Sequence, residues 1–241
     1  MKKSILSALT VLFLCSSANV FAEDMVRIPA SGDKAVGYKA CAIEDIQNCS
    51  AADVQKTSID AFSIDIMPVT NDDLQACVTA GKCILDDATK NTQSIGIDTS
   101  KGLHPAVVSY ELSEQYCAYV GKKLPTEAQW LAAALSDGVK KCAWGDEELA
   151  TAAARTDLYN FSNLVDAGSM PSAQTNGIYD MSGNGLEWIQ APIMKGESSP
   201  DVACSVRNSR ACMGAAPLPL YQKIGIYEGS VATFRCVKAA Q

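Results

Sequence analysis

Two carboxylates, one amide and three glycines stand among bulky apolar residues in Gly177-Ile178-Tyr179-Asp180-Met181-Ser182-Gly183-Asn184-Gly185-Leu186-Glu187-Trp188. That mix suits a tight loop closed around a hard cation by oxygen ligands. Calcium takes about six to eight oxygens, drawn from carboxylates and backbone carbonyls together. Asp180 and Glu187 supply side-chain oxygens, while Gly183 and Gly185 let backbone carbonyls turn inward. The competing reading is a hydrogen-bonded turn that fixes the surroundings of Trp188 without metal. Asn184 is expected to brace the turn.

Cysteine is the second set of residues with chemistry to offer. The chain has ten, and nine remain once Cys15 in the leader segment is set aside: 41, 49, 77, 83, 117, 142, 204, 212 and 236. Nine is odd, so at least one thiol is free or pairs outside the chain. There is no CxxC pair and His104 is the only histidine, which speaks against a structural zinc site. Cys41 with Cys49, and Cys77 with Cys83, are near enough in sequence to close small loops. Cys204 with Cys212 would close another, leaving Cys117, Cys142 and Cys236 over. Spacing alone does not decide the connectivity.

The elements that must position these residues are short. Lys2 and Lys3, the apolar run Ile5–Cys15 and Val20-Phe21-Ala22 read as a signal peptide over residues 1–22, with residues 23–241 as a single domain. No later segment is long and apolar enough to cross a membrane. The net charge is −7, and −9 without Lys2 and Lys3, with no Lys/Arg cluster, which argues against nucleic-acid binding. Met25–Ala30 reads as an entering strand, and Phe62-Ser63-Ile64-Asp65-Ile66 alternates as a half-buried strand does. Thr70 caps a helix through about Ala80, with Gly81 behind it. Ser109 or Ser113 starts a second helix that stops at Gly121. Thr126 with Gln129 forms a capping box for a third, which runs through Trp130–Leu135. Turns and short strands dominate from residue 141 on, so the fold class is α+β, loop-rich and disulfide-bonded.

Several motifs agree in order. Phe62-x-Ile64-Asp65-x-x-Pro68-Val69-Thr70-Asn71 is followed by His104-Pro105-x-Val107-Val108-Ser109. Then come Tyr116-Cys117-x-x-x-Gly121-Lys122-Lys123-Leu124-Pro125-Thr126-Glu127-Ala128-x-Trp130 and Trp144-Gly145. The Gly177–Trp188 stretch and Phe234-Arg235-Cys236 complete the series. From Met25 to Lys238 the chain resembles the formylglycine-generating enzyme, or sulfatase-modifying factor, family. The resemblance implies a variant C-type-lectin-like fold held by calcium and disulfides. It implies that Asp180, Gly183, Gly185 and Glu187 match the family's second calcium site, with Asn160 belonging to the other. It also implies a Cys117–Cys236 bridge, which leaves Cys142 over, available for a covalent link to a partner.

Active members resemble one another in a C-x4-C pair whose thiolates bind copper(I), a soft ion that suits soft ligands. Here Cys212 lies 24 residues before Cys236, which is the family's register for the second thiolate. The first thiolate then falls at Arg207, and Cys204 is three residues too early. The favoured reading is a structural Cys204–Cys212 disulfide without copper chemistry. The rival is a copper-dependent oxidoreductase acting on a protein cysteine through Cys212 with Cys204. A third reading is a chance alignment of Cys212. One histidine is too few for the iron-dependent sulfoxide synthases related to the family. His104 is read as a hydrogen-bonding residue, Glu127 as a helix first-turn carboxylate, and Trp130, Trp144 and Trp188 as core. The functional expectation is an exported, periplasmic or secreted binding or accessory module. Its partner is a protein or small molecule of the cell envelope, met by the loops between residues 189 and 233.

Overall fold

The computed structural model describes residues 24–31, 58–91, 98–135, 164–169, 177–181, 184–190, 203–208, 221–226 and 231–240. The expected leader, Cys41, Cys49, Cys142, Trp144, Asn160, Gly183 and Cys212 lie outside the described residues. Among the described residues, six strands form two antiparallel sheets of three. In the first, β2 (Phe62–Asp65) lies between β1 (Met25–Ile28) and β6 (Val237–Ala239). Ile64 pairs with Val26 on one side and Val237 on the other. Alternation sends Phe62 and Ile64 to the buried face, and Asp65 to the opposite one. The second sheet runs β3 (Glu187–Ile189), β4 (Ala203–Asn208), β5 (Tyr221–Ile226), and its register sets Ile189 opposite Cys204 and Arg207 opposite Gln222.

The helices end where local chemistry ends them. Thr70 caps α1 (Asn71–Thr79): its hydroxyl accepts from Asp73 N, and the Asp73 carboxylate accepts from Thr70 N at 3.0 Å. A short α2 (Asp87–Asn91), not foreseen as a helix, is opened by Asp86, which accepts from Thr89 N at 2.8 Å. Ser109, rather than Ser113, caps α3 (Tyr110–Tyr119) by accepting from Leu112 N at 3.1 Å. Thr126 and Gln129 exchange bonds across the first turn of α4 (Glu127–Leu135). Gly81 and Gly121 have positive φ beyond the ends of α1 and α3, where a side chain would be strained.

Among the described residues, buried apolar side chains form two clusters. One lies between the first sheet and α4: Phe62, Ile64, Val237, Ile178 and Ile189 pack with Trp130 and Ala132–Ala134. The other lies around α1 and α3, where Leu74, Leu112 and Tyr116 meet Trp188 and Phe234. Residues 231–237 form the seam between them. Ala232 bridges Val108, Thr233 bridges Glu187, and Val237 bridges Lys123. Phe234 O and Cys236 O accept from Val69 N and Asp65 N.

Among the described residues, two disulfides fasten this frame. Cys77–Cys83 closes the end of α1, and Cys117–Cys236 ties α3 to the seam across 119 residues of chain. All four cysteines belong to the α1–α3 cluster. Among the described residues, no helix is long and apolar enough to cross a membrane.

Candidate functional site

Alternation in two extended segments brings opposite charges together inside the protein. Leu186 and Trp188 enter the α1–α3 cluster, while Ile189 enters the α4 cluster. Phe234 and Cys236 likewise lie in the first of these and Val237 in the second. Glu187 and Arg235, between them, turn to the α4 side and meet there. Their side chains are 3% and 0% exposed. Arg235 Nη2 donates to Glu187 Oε1 at 2.6 Å, and Nε donates to Oε1 and Oε2, each at 2.9 Å. The indole Nε1 of Trp130 donates to Oε2 at 2.7 Å. A carboxylate has about four lone-pair positions, and here three N–H groups point at them, the Nε–H of Arg235 shared between both oxygens. The guanidinium reaches further, with Nη2 donating to Tyr179 O at 2.9 Å and Nη1 to Asp65 O at 3.3 Å.

Asp180 begins the loop that leads to Glu187. Asp180 and Asn184 both have positive φ, 59° and 57°, a region that Asp and Asn enter more readily than other side-chain-bearing residues. Asp180 Oδ2 accepts from Gly168 N at 2.8 Å and from Asn184 Nδ2 at 3.2 Å. Asn184 also exchanges bonds with Val165, accepting from its N and donating to its O. Residues 164–169 are thereby clamped onto the loop. His104 Nδ1, 2.9 Å from Asp166 Oδ1, and Ala167 N, which donates to Leu103 O, hold the other side of that segment. Asp180 Oδ1 is buried and has no hydrogen-bond partner among the described residues. Burial pushes the Asp180 carboxyl above the usual carboxylate range, against the hydrogen bonds of Gly168 and Asn184 and the charge of Arg235. Gly185 has φ +117°, and a methyl there would meet Thr233 Cγ2 at 2.6 Å. The close approach lets Thr233 N donate to Leu186 O and Trp188 N to Thr233 O, both at 2.8 Å.

A second buried pair supports the seam. Lys122 Nζ donates to Asp65 Oδ1 at 2.6 Å, while Oδ2 accepts from Cys236 N at 2.8 Å. Burial raises the Asp65 carboxyl above its ordinary range, and Lys122 works in the opposite direction.

The four residues expected around calcium therefore separate. Asp180 fits a cation, because one of its buried oxygens is free. Glu187 does not, because Arg235 and Trp130 occupy its oxygens. Gly185 sits tight against Thr233, and Gly183 lies outside the described residues. Among the described side chains of that set, only Asp180 keeps a carboxylate oxygen free, far short of the six to eight oxygens calcium takes. Chemically it is a neutralised charge network suited to fixing a loop. Cys204 lies in β4, opposite Ile189 of β3 and Gly225 of β5. The Phe234-Arg235-Cys236 motif by itself names no partner for Arg235. Its signal was a lone cation between Phe234 and Cys236, answered by a lone carboxylate between Leu186 and Trp188.

The family model described as sulfatase-modifying factor enzyme 1-like domain matches residues 14–225. The chain is 25% identical over 253 residues to the inactive C-alpha-formylglycine-generating enzyme 2 of Bos taurus, covering 78% of this chain and 80% of that protein. It is 31% identical over 151 residues to the serine/threonine-protein kinase pkn1 of Chlamydia pneumoniae, covering 57% of this chain but only 24% of the kinase. The chain thus spans about a quarter of the length of that relative. Among solved structures, PvdO from Pseudomonas aeruginosa superposes with a TM-score of 0.60 at 20% identity, covering 90% of this chain and 94% of PvdO. At that identity the likeness concerns the fold alone.

Proposed function

The chain belongs to the family of sulfatase-modifying factor enzyme 1-like domains, and from that premise we propose that it is an exported binding or accessory module that keeps the family's frame without its sulfatase-maturing chemistry. The observation that carries this reading is Arg207. Counted from Cys236, Arg207 stands where the resemblance places the first copper-binding thiolate. A guanidinium is a donor only and offers a metal no lone pair, whereas copper(I) calls for soft sulfur. Cys204 lies three residues away along β4, about 10 Å of extended chain. The copper site therefore does not fit the residues present. The mammalian relative named an inactive formylglycine-generating enzyme supports the same conclusion.

On this reading the frame is the variant C-type-lectin-like arrangement of the family, and the loops between residues 189 and 233 meet a protein or small molecule of the cell envelope. Paired cysteines and the leader-like start fit an oxidising compartment, periplasmic or secreted. The test is a thiol count under denaturing conditions, together with a copper(I) titration of protein purified from its native compartment. A Cys204–Cys212 disulfide with no stoichiometric copper is expected. Two free thiols at these positions, binding one copper(I) per chain, would instead establish the oxidoreductase.

A further inference from the structure

We infer that the Arg235 guanidinium is the internal cation of the Asp180–Trp188 loop, so that this domain folds and stays folded without a divalent ion at Glu187. The inference rests on the geometry of the loop and is independent of the functional reading above.

A metal in this place would tie together segments distant in sequence. Arg235 already does so. Through its three nitrogens it reaches the side chain of Glu187 in β3, the backbone carbonyl of Tyr179 next to Asp180, and the carbonyl of Asp65 at the end of β2. These are three separate stretches of chain joined by one planar cation, whose fork geometry matches a carboxylate. The Glu187 oxygens accept from three N–H groups, the Nε–H of Arg235 being shared between them, so both oxygens are engaged before any metal arrives. A divalent ion at the same carboxylate would lie against a guanidinium held 2.6 Å from Oε1, in an interior where like charges are poorly screened. Asp180 contributes only Oδ1, since Oδ2 is taken by Gly168 and Asn184. One carboxylate oxygen does not supply a calcium cage.

The experiment compares melting of the full chain after dialysis against EGTA with melting in millimolar calcium, for wild type and for Arg235→Met. A site filled at a hundred times its dissociation constant would raise the midpoint by roughly several degrees. For wild type the midpoint is expected to move by no more than about one degree under that comparison. Arg235→Met is expected to melt earlier and to gain a calcium response, because its Glu187 oxygens are released. Should that variant fail to fold, native mass spectrometry of wild type purified in calcium still decides the matter, with no stoichiometric calcium expected. One calcium per wild-type chain, with a melting point that falls by several degrees after EGTA, would overturn the inference.

Discussion

Arg235→Met is expected to destabilise the domain by about 3–5 kcal/mol, because it leaves the buried Glu187 carboxylate without its counter-charge. Glu187 would keep the Trp130 indole as its donor, and the carbonyls of Tyr179 and Asp65 would lose theirs. Domains of this size are stable by roughly 5–15 kcal/mol, so the loss is a large share of the total. Replacing both partners, Glu187→Met with Arg235→Met, removes the stranded charge and is expected to recover part of the loss. Urea unfolding of the two single variants and the double variant measures the coupling between them. A coupling above about 2 kcal/mol is expected of an intimate buried pair. Strictly additive single effects would mean that the two side chains do not act on each other.

The next largest effect is expected at Cys117–Cys236. The bond spans 119 residues, and its loss restores the entropy of a long loop to the unfolded chain. By that argument Cys117→Ala with Cys236→Ala costs about 4–5 kcal/mol, whereas Cys77→Ala with Cys83→Ala, which opens a separation of 6, costs about 2 kcal/mol. Both pairs are buried in the same cluster, so the comparison largely cancels the apolar contribution of the sulfurs. Thermal unfolding of the two double variants under oxidising conditions tests the order. Equal losses, or a larger loss for the short loop, would contradict it. The longer bridge also has support beside it: the Asp65 carboxylate holds Cys236 N and Lys122, close to the end of α3, so that the seam is pinned by a covalent bond and by charge together.

What could be read in the sequence was whatever a few neighbouring residues decide. Thr70, Ser109 and the Thr126/Gln129 pair announce helix starts because a cap is made within three positions of the chain. Phe62 and Ile64 announce a strand because alternation is local too. The Cys117–Cys236 pairing came with the family resemblance, since nothing in spacing selects partners so far apart. Arg235 remained without a role for the same reason. Its partner lies 48 residues away, and only the packing of the seam against β3 makes the two charges meet. Trp130 was read as core, and it is buried, but its indole nitrogen also serves Glu187. The Asp180–Glu187 loop shows the limit most clearly. Oxygen-rich composition is equally consistent with a metal cage and with a hydrogen-bonded turn, and the residue that neutralises Glu187, Arg235, lies outside the loop. His104 proved to be the hydrogen-bonding residue expected of it, with Asp166 as a partner that spacing did not suggest.

The proposed function holds that this chain does not oxidise a sulfatase cysteine. The direct measurement is the mass of a sulfatase-derived peptide carrying a single cysteine, after incubation with this protein, copper(I), oxygen and a thiol reductant. The peptide is expected to keep its thiol, because Arg207 stands where a thiolate would have to bind copper. A mass change corresponding to conversion of that thiol to an aldehyde, catalysed by the wild-type chain and lost in Cys212→Ala, would contradict the account.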